Sequence, residues 1–133
     1  MKENVLWTTA SLLSVLFFTL HLAGDIVRGI EKGDISNFPA IPMAVLWLSA
    51  TLLLAERRSG YIIVLLFSIL GAGIPVVHMM GKGMGLGTRL AKYSGHFSFV
   101  WTLLALGVTA LFTLILSVRG LWSLRRARGR ASA

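Results

Sequence analysis

Apolar residues fill the chain in four long blocks, and polar residues are gathered at the joints between them. The blocks run from about Val5 to Ala23, Ile41 to Ala55, Tyr61 to Met80 and Phe97 to Val118. An α-helix rises ~1.5 Å per residue, so about 20 apolar residues cross a hydrocarbon core ~30 Å thick. The third block carries no formal charge. The second is the shortest and takes in Phe38 and Pro39 at its start. None alternates polar with apolar residues as barrel strands do. The pattern predicts an all-α integral membrane protein, with four transmembrane helices in an up-down bundle joined by short connections. One such domain accounts for residues 1–133. The longer segment from Gly24 to Pro39 is expected to cap the bundle with an extra helical turn around Asp25–Lys32.

Composition strengthens this picture. Of 133 residues, 56% are hydrophobic and 14% charged. A soluble domain averages about 25% charged residues and cannot hide so much apolar surface at this size. A soluble enzyme, a disordered tail and a nucleic-acid module are therefore disfavoured.

The charges also orient the chain. Lys2, Arg57, Arg58, Arg119, Arg125, Arg126, Arg128 and Arg130 fall on one side of the spans, with Glu3 and Glu56. Arg28, Lys32, Lys82, Arg89 and Lys92 fall on the other, with Asp25, Glu31 and Asp34. The formal +8 thus divides into 8 − 2 = +6 and 5 − 3 = +2. Basic residues favour the cytoplasmic side, so both termini are expected in the cytoplasm of a multi-pass cell-membrane protein. Trp7, Tyr61 and Trp122 then sit near the inner boundary, Tyr93 and Phe97 near the outer one. The first block is long for a signal peptide, and His21 spoils the small-x-small pattern before Ala23, so it reads as a retained span.

Residues 119–133 form a basic cytoplasmic tail. Directly after a span, such arginines are expected to hold the topology and attract anionic lipid head groups, not nucleic acid. The run Gly81–Lys82–Gly83–Met84–Gly85–Leu86–Gly87 lacks the spacing of a phosphate loop and reads as a helix connection. There is no cysteine, hence no thiolate ligand or nucleophile.

Chemistry concentrates in three histidines. With this topology His21, His78 and His96 all lie near the outer ends of their spans. Asp25 follows His21 by four residues and shares its helix face, which also carries Ser11, Ser14 and Arg28. On the third span Ser68, Gly71, Pro75 and His78 share a face, and Pro75 is expected to kink it. On the fourth, Ser98, Thr102, Thr109 and Thr113 form a hydroxyl stripe. Gly71, Ala105 and Gly107 are expected to allow close helix approach.

Neutral imidazoles with a carboxylate suit a transition metal, and histidines on different helices of a bundle also suit haem. His21, Asp25, His78 and His96 are therefore the expected metal ligands, and the three histidines the expected haem ligands. Met79, Met80 and Met84 offer softer donors for copper. The plainer readings are boundary histidines bonded to water or backbone, methionines as apolar filler, and Asp25 paired with Arg28. Ser94 and Ser98 are the only nearby nucleophiles, and neither is convincing. Two further functions compete: an interaction or assembly subunit beside other membrane subunits, and a small transporter component. The latter needs a polar path, for which the inner half offers only hydroxyls.

Overall fold

A computed structural model describes residues 2–29, 32–80 and 96–131. The Gly81–Gly87 run, Lys82, Arg89, Lys92, Tyr93 and Ser94 lie outside them, as does Glu31. Four α-helices make up nearly all of the described chain: α1 (Lys2–Val27), α2 (Ala40–Leu53), α3 (Arg58–Met80) and α4 (His96–Ala131). A short 3-10 turn, Ile35–Asn37, precedes α2. Four segments are long and apolar enough to cross a membrane: Asn4–Val27, Ile35–Leu53, Arg58–His78 and Phe97–Arg130.

The helix ends follow from local chemistry. α1 stops at Gly29, whose φ of 68° suits a residue without Cβ. Of the expected extra turn around Asp25–Lys32, residues 25–27 continue α1 and Glu31 lies outside the described residues; a separate short turn forms at Ile35–Asn37. There the Ser36 N–H donates to the Asp34 carboxylate at 2.8 Å. That bond holds the exposed Asp34 carboxyl below its ordinary range. Pro39 and Pro42 fall at the start of α2, where backbone N–H groups have no helical partner to lose. α2 itself has 14 residues, about 21 Å at ~1.5 Å per residue. It reaches spanning length only with the 3-10 turn. α3 continues through Pro75 as one helix.

α4 packs along both α3 and α1, and α2 closes the ring against those two helices. The start of α1 meets Trp47 of α2, Ser117 in the second half of α4 and Tyr61 at the start of α3, through Trp47–Ser11, Trp7–Ser117 and Tyr61–Asn4 hydrogen bonds. Gly71 and Gly107 stand where helices touch, as expected from the sequence. A Cβ on Gly71 would lie 3.2 Å from the Ala110 methyl, and one on Gly107 2.8 Å from the Pro75 ring.

The interior is half polar. Ser11, Ser14, Thr51, Ser68, Thr113 and Ser117 are fully buried beside Trp7, Val64, Leu103 and Leu106. Large apolar residues such as Leu16, Leu46, Leu66, Leu70, Leu104 and Leu111 point outward. Water would not tolerate that exterior, whereas lipid does. Trp7 and Tyr61 do not line the lipid boundary. They are 1% and 6% exposed and pack against each other, ring centres 4.8 Å apart. Their polar atoms find bonds inside the bundle, which explains why they turn inward.

Candidate metal centre

One face of α1 carries Asn4, Trp7, Ser11, Ser14, Phe18, His21, Asp25 and Arg28 at steps of three and four. That spacing keeps all eight on one helix side. In the first half of α1 the polar members are satisfied by neighbours. Trp7 Nε1 donates to Ser117 at 2.8 Å and Trp47 Nε1 to Ser11 at 3.0 Å. Ser11 and Thr51 hydroxyls share a bond of 2.7 Å, and Ser14 and Thr113 one of 3.3 Å. The Asn4 amide donates to Glu56.

Beyond Phe18 the pattern changes. His21 and Asp25 are each 4% exposed, and α3 brings His78 beside them. His21 Nε2 lies 3.4 Å and His78 Nε2 3.7 Å from the same carboxylate oxygen, Asp25 Oδ2. One donor atom from each residue lies within 4.8 Å of the others. Bonds of ~2.1 Å to a tetrahedral ion place donors about 3.4 Å apart. One edge of that figure is already in place, and modest side-chain rotation closes the rest.

The donors are also left wanting. Both ring nitrogens of His21 and Asp25 Oδ1 are buried without a hydrogen-bond partner. Buried polar atoms are ordinarily paired, so these three are open to a further partner. His78 differs in a useful way. Its Nδ1 lies 2.9 Å from the Ile74 carbonyl. A carbonyl only accepts, so Nδ1 carries a proton, and the ring is held with Nε2 facing Asp25. Metal-bound imidazoles are commonly oriented by this kind of bond.

The expected Asp25–Arg28 ion pair is absent. Arg28 instead sets its guanidinium 5.6 Å from the centre of the Phe99 ring. Phe99, from the first turn of α4, covers both imidazoles, with ring centres 5.3 Å from His21 and 5.9 Å from His78. Sequence reasoning missed Phe99 because an apolar residue in an apolar helix carries no local mark. His21 and His78 meet edge to face at 4.9 Å. The donor set of two imidazoles and a carboxylate is compact, with one atom of each within 4.8 Å of the others.

His96 is the first residue of α4, but its side chain lies outside the described ones, as do those of Met79 and Met80. Met84 lies outside them altogether. Ser98 is exposed on α4. Thr102 and Thr109 return their hydroxyls to carbonyls of their own helix. No family model, curated protein or solved structure matches the chain.

Proposed function

We propose that this is a four-span membrane protein that binds one divalent first-row transition-metal ion between His21, Asp25 and His78, near the outer face of the cell membrane. The observation that carries this reading is the convergence of two imidazoles and one carboxylate, with His21 and Asp25 buried and three of the six ring nitrogens and carboxylate oxygens without a hydrogen-bond partner. A buried carboxylate without a cation is costly. Among the described residues no arginine or lysine forms an ion pair with Asp25, whose partners are His21 and His78, so a metal ion would bring a cation into contact with the carboxylate.

Two nitrogens and one oxygen form a borderline donor set suited to zinc or iron(II), with at least one coordination position left over. His96, one turn before Phe99, is a candidate for that position, as is water. An open position is what a Lewis-acid or redox centre needs. The helix ends that bring His21, His78 and Phe99 together fit an up-down bundle. The +6 against +2 charge division supports placing both termini in the cytoplasm.

Metal analysis of the protein purified in detergent tests this directly. One zinc or iron per chain is expected, falling to background in a His21→Ala/His78→Ala double variant that keeps its helical circular dichroism. Cobalt(II) in place of the native ion should give tetrahedral visible bands that vanish in the same variant. A protein that stays metal-free after incubation with zinc, iron(II) and cobalt(II) overturns the proposal. The interaction-subunit reading would then stand in its place.

A further inference from the structure

α4 has 36 residues. At ~1.5 Å per residue that is about 54 Å, against a hydrocarbon core of ~30 Å. The register fixes which end overhangs. Phe99 meets His21, and Ser117 bonds Trp7, so the helix leaves the bundle at its C-terminal end. Leu121 and Leu124 still pack against the core cluster of Trp7 and Tyr61. Past them the helix continues to Ala131 with Arg125, Arg126, Arg128 and Arg130 exposed and no acidic residue among them.

The overhang has a defined face. Trp122, Arg125, Arg126 and Arg130 follow one another at i, i+3, i+4 and i+8, which sets them along one side of the helix. Trp122 is 59% exposed, and the Arg126 guanidinium lies 4.2 Å from the centre of its ring. We propose that this face binds the phosphate groups of anionic phospholipids in the leaflet at the C-terminal end of α4.

Three points select that partner. An exposed tryptophan at the end of a span settles at head-group level, where its apolar ring and N–H are both accommodated. Arginine presents a planar fork of donors matched to phosphate oxygens, and Arg126 retains that fork while its flat side covers Trp122. From Trp122 to Arg130 the helix rises about 12 Å. With Trp122 at the head groups, Arg125 and Arg126 lie within them and Arg130 about 6 Å further out, inside one screening length of ~8–10 Å. Because the segment is helical, the charges are held in place before lipid arrives. Arg57 and Arg58, one turn before Tyr61, add charge at the same end, since Tyr61 packs on Gly120 of α4.

The proposal is independent of the metal centre. Full-length protein is reconstituted into nanodiscs of equal phosphatidylcholine and phosphatidylglycerol. Native mass spectrometry then counts the lipids retained on the released protein. Retention of phosphatidylglycerol over phosphatidylcholine is expected, dropping about fivefold per arginine removed and lost in an Arg125→Gln/Arg126→Gln/Arg130→Gln variant. Raising salt from 0.05 M to 1 M should weaken it in the wild type. The three side chains are exposed, so an unchanged thermal midpoint checks the fold. Equal retention of the two lipids by the wild type, or unchanged selectivity in the variant, overturns the proposal. So does co-purification of nucleic acid that the arginine variant no longer retains, which would assign the face to a polyanion in place of lipid.

Discussion

Asp25 is the residue on which the candidate centre turns. Its Oδ2 is shared between two imidazoles, and its Oδ1 is buried without a partner. Asp25→Asn keeps the size and shape of the side chain and removes the anionic donor. Loss of an outer partner alone typically costs a metal site ~10–100-fold in affinity. Loss of a ligand should exceed that, so competition with a chelator should show weakening of more than ~100-fold, with helicity retained. Equal affinity in the variant would exclude Asp25 as a ligand. Ligands must shed protons to bind a metal, so wild-type affinity should also fall on acidification. The His21–Asp25 pair was legible in the sequence, because four-residue spacing on a helix fixes proximity whatever surrounds it. Phe99 was not legible, since only the packing of α4 on α1 and α3 brings that ring over the imidazoles. Trp7 and Tyr61 illustrate the same limit. Aromatics at a span end suit both a lipid boundary and a core, and their bonds to Ser117 and Asn4 decide for the core.

At the scale of elements, close approach of helices is what assembles the site. Gly120 of α4 lies so near Tyr61 of α3 that an added Cβ would stand 2.3 Å from its ring. Gly73, inside α3, has open space where its Cβ would be. Gly120→Ala should therefore destabilise by about 1–3 kcal/mol through overpacking. Gly73→Ala should be neutral or stabilise by up to ~1 kcal/mol through helix propensity. Thermal unfolding of the two variants in detergent checks both, and equal midpoints would contradict the packing assigned to Gly120. The sequence pattern located all four helices, with ends displaced by a few residues in α1, α2 and α3. The large difference is α4, which runs to Ala131 and makes the basic tail a helical continuation. Hydropathy marks where a helix leaves lipid but not where it ends, because its backbone hydrogen bonds continue regardless of the side chains. Pro75 shows the converse. A residue that disfavours helix is retained within α3, where its ring fits against Gly107.

For the whole molecule, the apolar exterior and half-polar interior are consistent with one lipid-embedded bundle. The orientation follows from charge alone and has its own test. A periplasmic-type reporter fused after Ala131 should be inactive, and one inserted between residues 81 and 95 should be active. The opposite result would move the His21–Asp25–His78 centre to the cytoplasmic side without altering its geometry. The inner polar seam matters at this scale too. Its hydroxyls and indoles are bonded to one another or to backbone, apart from Ser68, whose Oγ is buried without a partner. Such a seam locks helices together, and it leaves the unpaired groups concentrated at the opposite end, around His21.

By itself the sequence determined four helices, their apolar faces, and the placing of charge at their ends. Those properties depend on residues within a turn or two of each other and on the thickness of a hydrocarbon layer. Tertiary structure decided which histidines meet, which polar atoms go unpaired, and that an aromatic ring from α4 covers them. Those depend on helix rotation and contact depth, which small residues at Gly71, Gly107 and Gly120 permit but do not specify alone. His21 could be singled out from its neighbours on one helix, but its partnership with His78 exists only because α1 and α3, both packed on α4, bring these two positions to one depth.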